Sequence, residues 1–193
     1  MNSALKSFFI ALVVLVLLTG LAALGYARWT GVITDADAAL ANGQYEVALA
    51  AYTAAETRFD RFPAVRQALV ADYHHVVANQ LWLLYTMKRY DETIDKAERS
   101  PEPTGPHFYS ACAFFEKARA EEKPEARLGW FTRAEEEFRR AVEAAPGDWD
   151  TKYDFELTTR LAAELRKQPK TPPAQLMQLL RPPTKGKVVR RVG

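Results

Sequence analysis

Residues 8 to 26, FFIALVVLVLLTGLAALGY, limit the possible folds of this chain more than any other feature. They are 19 consecutive positions without a charge, inside an uncharged stretch that runs from Ser7 to Ala27. As a helix the run measures about 28 Å at roughly 1.5 Å per residue, close to the hydrocarbon thickness of a bilayer. It predicts a transmembrane anchor over residues 8–26, preceded by a short terminus, residues 1–7. A second reading stays open, because residues 8 to 18 also suit a secretory h-region and Ala23-Leu24-Gly25 is a small-x-small cleavage candidate. An uncleaved anchor is the expected state. Lys6 and the amino group lie before the run, and Arg28, Asp35 and Asp37 after it, a slight bias that points the N-terminus inward. Both readings export the remainder. The expected location is therefore the inner membrane, single-pass, with residues 1–7 cytoplasmic and the C-terminal body in the periplasm.

The chain has 193 residues, enough for one modest domain plus appendages. Cys112 is its only cysteine, so no intramolecular disulfide forms, and no cysteine near the anchor invites lipidation. The net charge of +2 conceals a split: residues 165 to 193 carry eight Lys/Arg and no acid, which leaves the rest at −6. Prolines 169, 172, 173, 182 and 183 break that end into a Pro-rich basic tail, residues 168–193, in which AQLMQLLR alone can form a short amphipathic turn. KGKVVRR could bind nucleic acid, but an exported chain rarely meets any; anionic headgroups or an acidic partner suit its charge better.

Between anchor and tail, residues 30–167 read as helical, with no run of alternating β-branched residues. The fold class is all-α. Gly43, Tyr45, Ala48, Tyr52 and Ala55 take the offsets of the second helix of a tetratricopeptide repeat, in which small alanines let helices approach and aromatics fill the space beside them. Ala134, Phe138, Ala141 and Pro146 repeat the pattern, with Gly129 and Phe131 upstream. A middle copy is degenerate: Tyr90 is in place, but Thr93 replaces the small alanine. The expected architecture is an anchor helix followed by a tetratricopeptide-like, right-handed helical-repeat array. The anchor positions Ala48, Thr93 and Ala134 lie 45 and 41 residues apart, wider than the usual ~34, so the repeats are lengthened.

Val65, Leu69, Tyr73, Val76, Leu83 and Met87 predict one long helix over residues 64–87. PEPTGP, residues 101–106, is a rigid break; HFYSACAFFEKARA forms the next helix, and Pro124 starts another with Trp130, Ala134, Phe138, Ala141 and Ala145 inward.

The stretch PGDWDTKYDFEL carries Asp148, Asp150 and Asp154 in a calcium-like cluster, but EF-hand spacing from Asp148 places Lys152, Tyr153 and Thr159 at positions five, six and twelve, and fails. The expected role is structural: Asp148 caps a helix, Asp150 faces its positive end, and Trp149, Tyr153, Leu157, Leu161 and Leu165 form one apolar stripe. A weak calcium contact through Asp148, Asp150 and Asp154 would need oxygen ligands from a partner. His74 and His75 diverge by about 100° and cannot share a zinc face. Cys112 and His107 lack an orienting carboxylate, and no phosphate loop or nucleophile elbow occurs, so no enzyme and no cofactor are expected. Tyr73, His74, Asn79 and Trp82 are the candidate partner-binding groove, because they supply more polar and aromatic groups than a core requires.

The segment from Gly129 to Leu165, with Lys152-Tyr153-Asp154-Phe155-Glu156-Leu157 at its centre, resembles the last repeat and following helix of small membrane-anchored proteins encoded beside MoxR-type ATPases and von Willebrand A-domain proteins. Asp154 stands where that group has Asn, and Phe155 where it has Leu. Length, anchor and stretched middle look most like the MxaK family, accessory proteins of methanol oxidation. That resemblance implies a scaffold that assists assembly or calcium loading of periplasmic, PQQ-containing methanol dehydrogenase. Its implied partners are envelope accessory proteins such as von Willebrand A-domain proteins, and methanol dehydrogenase itself. The alternatives are the same scaffold serving another MoxR-associated system and a weak calcium-delivery protein that uses Asp148, Asp150 and Asp154 as ligands.

Overall fold

A computed structural model describes residues 3–167, and every regular element among them is helical. The basic tail, residues 168–193, lies outside the described residues. Helix α1 (Ser3–Ala41) is followed by α2 (Tyr45–Arg61), the short α3 (Pro63–Ala68), α4 (Val70–Thr86) and α5 (Tyr90–Ala97). A 3₁₀ turn at Glu102–Thr104 then leads into α6 (Pro106–Ala120), α7 (Pro124–Ala144) and α8 (Trp149–Lys167).

Helix α1 has two regimes along one unbroken rod. Up to Arg28 its described side chains are exposed, including Phe8 to Tyr26, while from Trp29 onward one face is covered and Ile33, Ala36 and Ala39 are buried. The passage from the apolar run to the packed body is thus a change in burial with no break in the helix. It is long and apolar enough to cross a membrane.

Beyond α1 the packing follows chain order: α2 lies on α1, α4 on α2, α5 and α6 follow, and α7 and α8 close the stack. Small residues make this possible. Ala48 and Ala55 flank the fully buried Tyr52 on α2, and Ala134 and Ala141 flank Phe138 on α7, so both alanine-aromatic-alanine sets face inward as their spacing predicts. The first core gathers Ile33, Ala36, Leu49, Phe59, Val76 and Leu83 around them; a second joins Ile94, Cys112, Phe114 and Phe138. Thr93, the misfit of the middle copy, is fully buried and returns its hydroxyl to the Arg89 carbonyl.

The first two turns are built alike. Gly43 and Lys88 both adopt left-handed backbone, φ 71° and 61°. The amides of Gly43 and Gln44 bond back to Leu40 and Ala39, as those of Lys88 and Arg89 bond to Tyr85 and Leu84. The correspondence runs at the same offset that relates Ala48 to Thr93 and Tyr45 to Tyr90.

Three expectations need correction. The helix over 64–87 is divided at Leu69, whose φ of −114° and ψ of 45° end α3 while its side chain turns onto the first core. Ala145 is exposed, because α7 stops at Ala144 and Ala145 is already its non-helical cap. On α8 the fully covered side chains are Thr151, Thr158 and Ala162, with Phe155 beside them; Trp149 and Tyr153 are 77% and 67% exposed. Small residues, not the largest ones, meet α7.

Candidate interaction site

The groove residues chosen from sequence divide between two places. On α4, Asn79 and Trp82 share a face with His75, whereas Tyr73 is turned roughly half a revolution from Trp82. Tyr73 packs edge-on against Phe59 at 5.7 Å with the Arg66 guanidinium 5.4 Å from its ring, and His74 lies beside it with Pro63, Val70 and Pro101.

The other face holds a polar junction of three helices. His75 Nε2 is 2.8 Å from Asp37 Oδ1, which carries α4 onto α1. The Tyr52 hydroxyl, from α2, donates to the same carboxylate oxygen, and Asn79 Nδ2 donates to the Tyr52 oxygen at 3.1 Å. Asn79 Nδ2 also lies 3.1 Å from His75 Nε2. That nitrogen is committed as a donor to Asp37, so the amide hydrogen goes to Tyr52. Burial, reinforced by the hydrogen bond and charge of Asp37, drives the Tyr52 phenol well above its ordinary range and keeps it protonated. The Asp37 and His75 side chains remain about half exposed, at 45% and 50%. Further along α4, Trp82 meets Tyr45 edge-on at 5.8 Å, both rings open to solvent on one side. The result is a half-exposed strip of carboxylate, imidazole, amide and aromatic groups with a rigid, bonded base.

Asp37 belongs to this strip although only its charge stands out in the sequence. The buried Tyr52 gives the one hint of it: a phenol in a core needs a partner.

A second polar concentration lines a cleft of about 590 Å³ between α5, α6 and α7. There His107 Nδ1 is 2.6 Å from Glu137 Oε2, and its Nε2 is 3.1 Å from Glu102 Oε1. Burial disfavours the imidazolium, but the hydrogen bonds and charges of the two glutamates outweigh it and raise the His107 pKa. The two ring nitrogens thus face carboxylates from different elements, so the group ties the 3₁₀ turn, α6 and α7 together.

Within the acidic cluster, Asp148 caps α8. Asp148 Oδ1 accepts from the Asp150 amide at 3.0 Å, and Oδ2 accepts from the Thr151 hydroxyl at 2.7 Å. These bonds, the Thr151 side chain first, hold the Asp148 carboxyl below its ordinary pKa. Asp154 turns inward instead, where burial and then the charges of Asp150 and Asp148 raise it. Among the described residues no group of three His, Cys, Asp or Glu side chains is arranged to hold a metal ion. The lone thiol is buried beside Phe114, and burial pushes Cys112 up to about 12, far from nucleophilic use. Gly43 and Pro146, taken from the repeat pattern, lie in turns, and Tyr45 is partly exposed against Trp82.

Comparison with known proteins gives no match: no family model fits the chain, and no curated protein or solved structure is significantly similar to it.

Proposed function

We propose that this chain is a membrane-tethered adaptor of the tetratricopeptide-like class, holding a partner protein at the membrane surface by non-covalent contact. The observation that carries this reading is the junction of Asp37, Tyr52, His75 and Asn79 with Tyr45 and Trp82 alongside. It presents exposed polar and aromatic groups on a base fixed from three helices, as pre-organised protein interfaces do. Helices stacked in chain order support the same class, since such arrays offer long continuous surfaces to partner segments.

The client follows from the resemblance in residues 129–165. On that basis the adaptor works in the periplasm, bringing von Willebrand A-domain accessory proteins to methanol dehydrogenase during its assembly or calcium loading. Its own residues supply contact and position, with no covalent step and no bound metal.

Crosslinking and affinity capture of the full chain from membranes of a methanol-grown host test both parts. Recovery of those accessory proteins is expected, and His75→Ala with Trp82→Ala should reduce it along with dehydrogenase activity. Unchanged recovery and unchanged activity in the double variant would overturn the assignment of the strip. Recovery of partners with no tie to methanol oxidation would overturn the client.

A further inference from the structure

The corner that joins α2 to α4 stands at the level where the apolar run of α1 ends. Helix α2 runs back along α1, so its last turn returns to Trp29: the Trp29 ring is 5.7 Å from Phe59 and 5.6 Å from Phe62. Trp29 itself is only about 5 Å along the helix from Tyr26, the last residue of the apolar run. A rod without a break carries that spacing into space.

What the chain places at this level is unusual for a surface facing only water. Phe62 is 47% exposed, Pro63 follows it in the open, and Val70 is exposed at the start of α4. Around them are Arg28, Arg58, Arg61 and Arg66, with the Arg58 guanidinium 4.4 Å over the Trp29 ring. Asp60 is engaged by Arg66 at 3.0 Å, Glu56 on the preceding turn of α2 pairs with Lys96, and Asp72 lies in the first turn of α4. Aromatic rings flanked by arginines, one helical turn beyond a hydrocarbon-length helix, are the composition of a bilayer interface.

We infer that the α2–α4 corner, from Phe62 to Val70, is a membrane-contact edge seated in the headgroup layer, with Phe62 and Val70 toward the acyl boundary and Arg28, Arg58 and Arg61 on anionic phospholipid. The inference rests on α1 crossing the bilayer. It adds a second contact, which stops the body from rotating freely over the membrane.

Depth measurement on the full chain in vesicles separates the two claims. With Cys112→Ala as background, single cysteines are introduced by Leu15→Cys, Phe62→Cys and Asn42→Cys and spin-labelled. Asn42, in the α1–α2 turn, is about 20 Å farther along the rod than Trp29 and serves as the aqueous reference. In vesicles of phosphatidylcholine with phosphatidylglycerol, the label at 15 should collide with oxygen as in hydrocarbon, that at 42 with a nickel chelate as in water, and that at 62 should be intermediate. A label at 62 as open to the chelate as that at 42, with 15 still in hydrocarbon, overturns the edge and leaves the span standing. A label at 15 outside the hydrocarbon overturns both. Shielding at 62 that depends on the protein-to-lipid ratio identifies a second copy as the occupant and overturns the lipid assignment. Arg61→Glu gives the chemical arm, because one arginine near an anionic surface changes occupancy about fivefold. The variant should shift the label at 62 toward water in the anionic vesicles and not in pure phosphatidylcholine; an equal shift in both would overturn the anionic preference.

Discussion

Asp148 grips Thr151 with both carboxylate oxygens: Oδ2 accepts from its hydroxyl at 2.7 Å and Oδ1 from its amide at 3.4 Å. Thr151 is almost fully buried, so this cap fixes both the start of α8 and the side of the helix that meets the core. Asp148→Ala should lower the melting temperature without changing calcium affinity, which calorimetry should find immeasurable at millimolar calcium in both proteins. The sign with pH is set by the lowered carboxyl pKa. The capping contribution is present above the ordinary value of 3.8 and is lost as pH falls through the folded one, so wild type and variant should converge in acid.

The register of α8 gives a paired test. Trp149→Ala should leave stability within about 0.5 kcal/mol, as exposed substitutions do. Phe155→Ala, which removes a ring packed on the second core, should cost about 2 kcal/mol. Urea titrations of the two variants decide the matter; the reverse order would restore the stripe that runs through Trp149 and Tyr153.

These cases mark what could be read in advance. The helical class was legible because residues such as Ala134, Phe138 and Ala141 recur at helix spacing, and the same three are buried on α7. On α8, hydropathy ranks Trp above Thr, yet close approach to α7 selects Thr151, Thr158 and Ala162 for their size; only the distal half of the expected stripe, Leu161 and Leu165, packs inward. The break at Leu69 leaves no mark in an apolar period that continues through it. The pairing of Asp37 with His75 spans 38 positions and two helices, and no local pattern encodes it.

Tyr52 separates ring from hydroxyl at the junction. Tyr52→Phe keeps the packing and removes the bonds to Asp37 and Asn79, so it should cost about 1 kcal/mol. Tyr52→Ala also opens a cavity and should cost about 3–5 kcal/mol. Denaturant midpoints measure both.

His107 should give alkaline sensitivity in the range around neutrality. Its folded pKa is raised, so its clamp on Glu137 and Glu102 is fully present below the unfolded value near 6.5 and fades as pH rises through the folded one. Thermal melts between pH 6 and pH 9 should show a decline that His107→Gln lacks.

Lys88 occupies the left-handed position that Gly43 fills in the preceding turn. Lys88→Gly should stabilise the protein by about 0.5–1 kcal/mol, the excess of relieved backbone strain over the added freedom of the unfolded chain. An unchanged or lowered denaturant midpoint would show that the lysine stem contributes more than its backbone costs.

On the proposed reading, in which α1 crosses a bilayer, the unbroken rod would also determine how a partner is found. A disordered leash would let the body sweep a hemisphere, diluting it over a volume that grows with linker length. The helix continues for 15 residues past Tyr26, about 22 Å, and with its apolar run in a bilayer would confine the body to a thin slab parallel to the membrane. For a partner anchored in the same membrane, encounter becomes a search across a surface, and the relevant concentration is counted per area rather than per volume. Affinity too weak to matter in free solution would then suffice for lasting association.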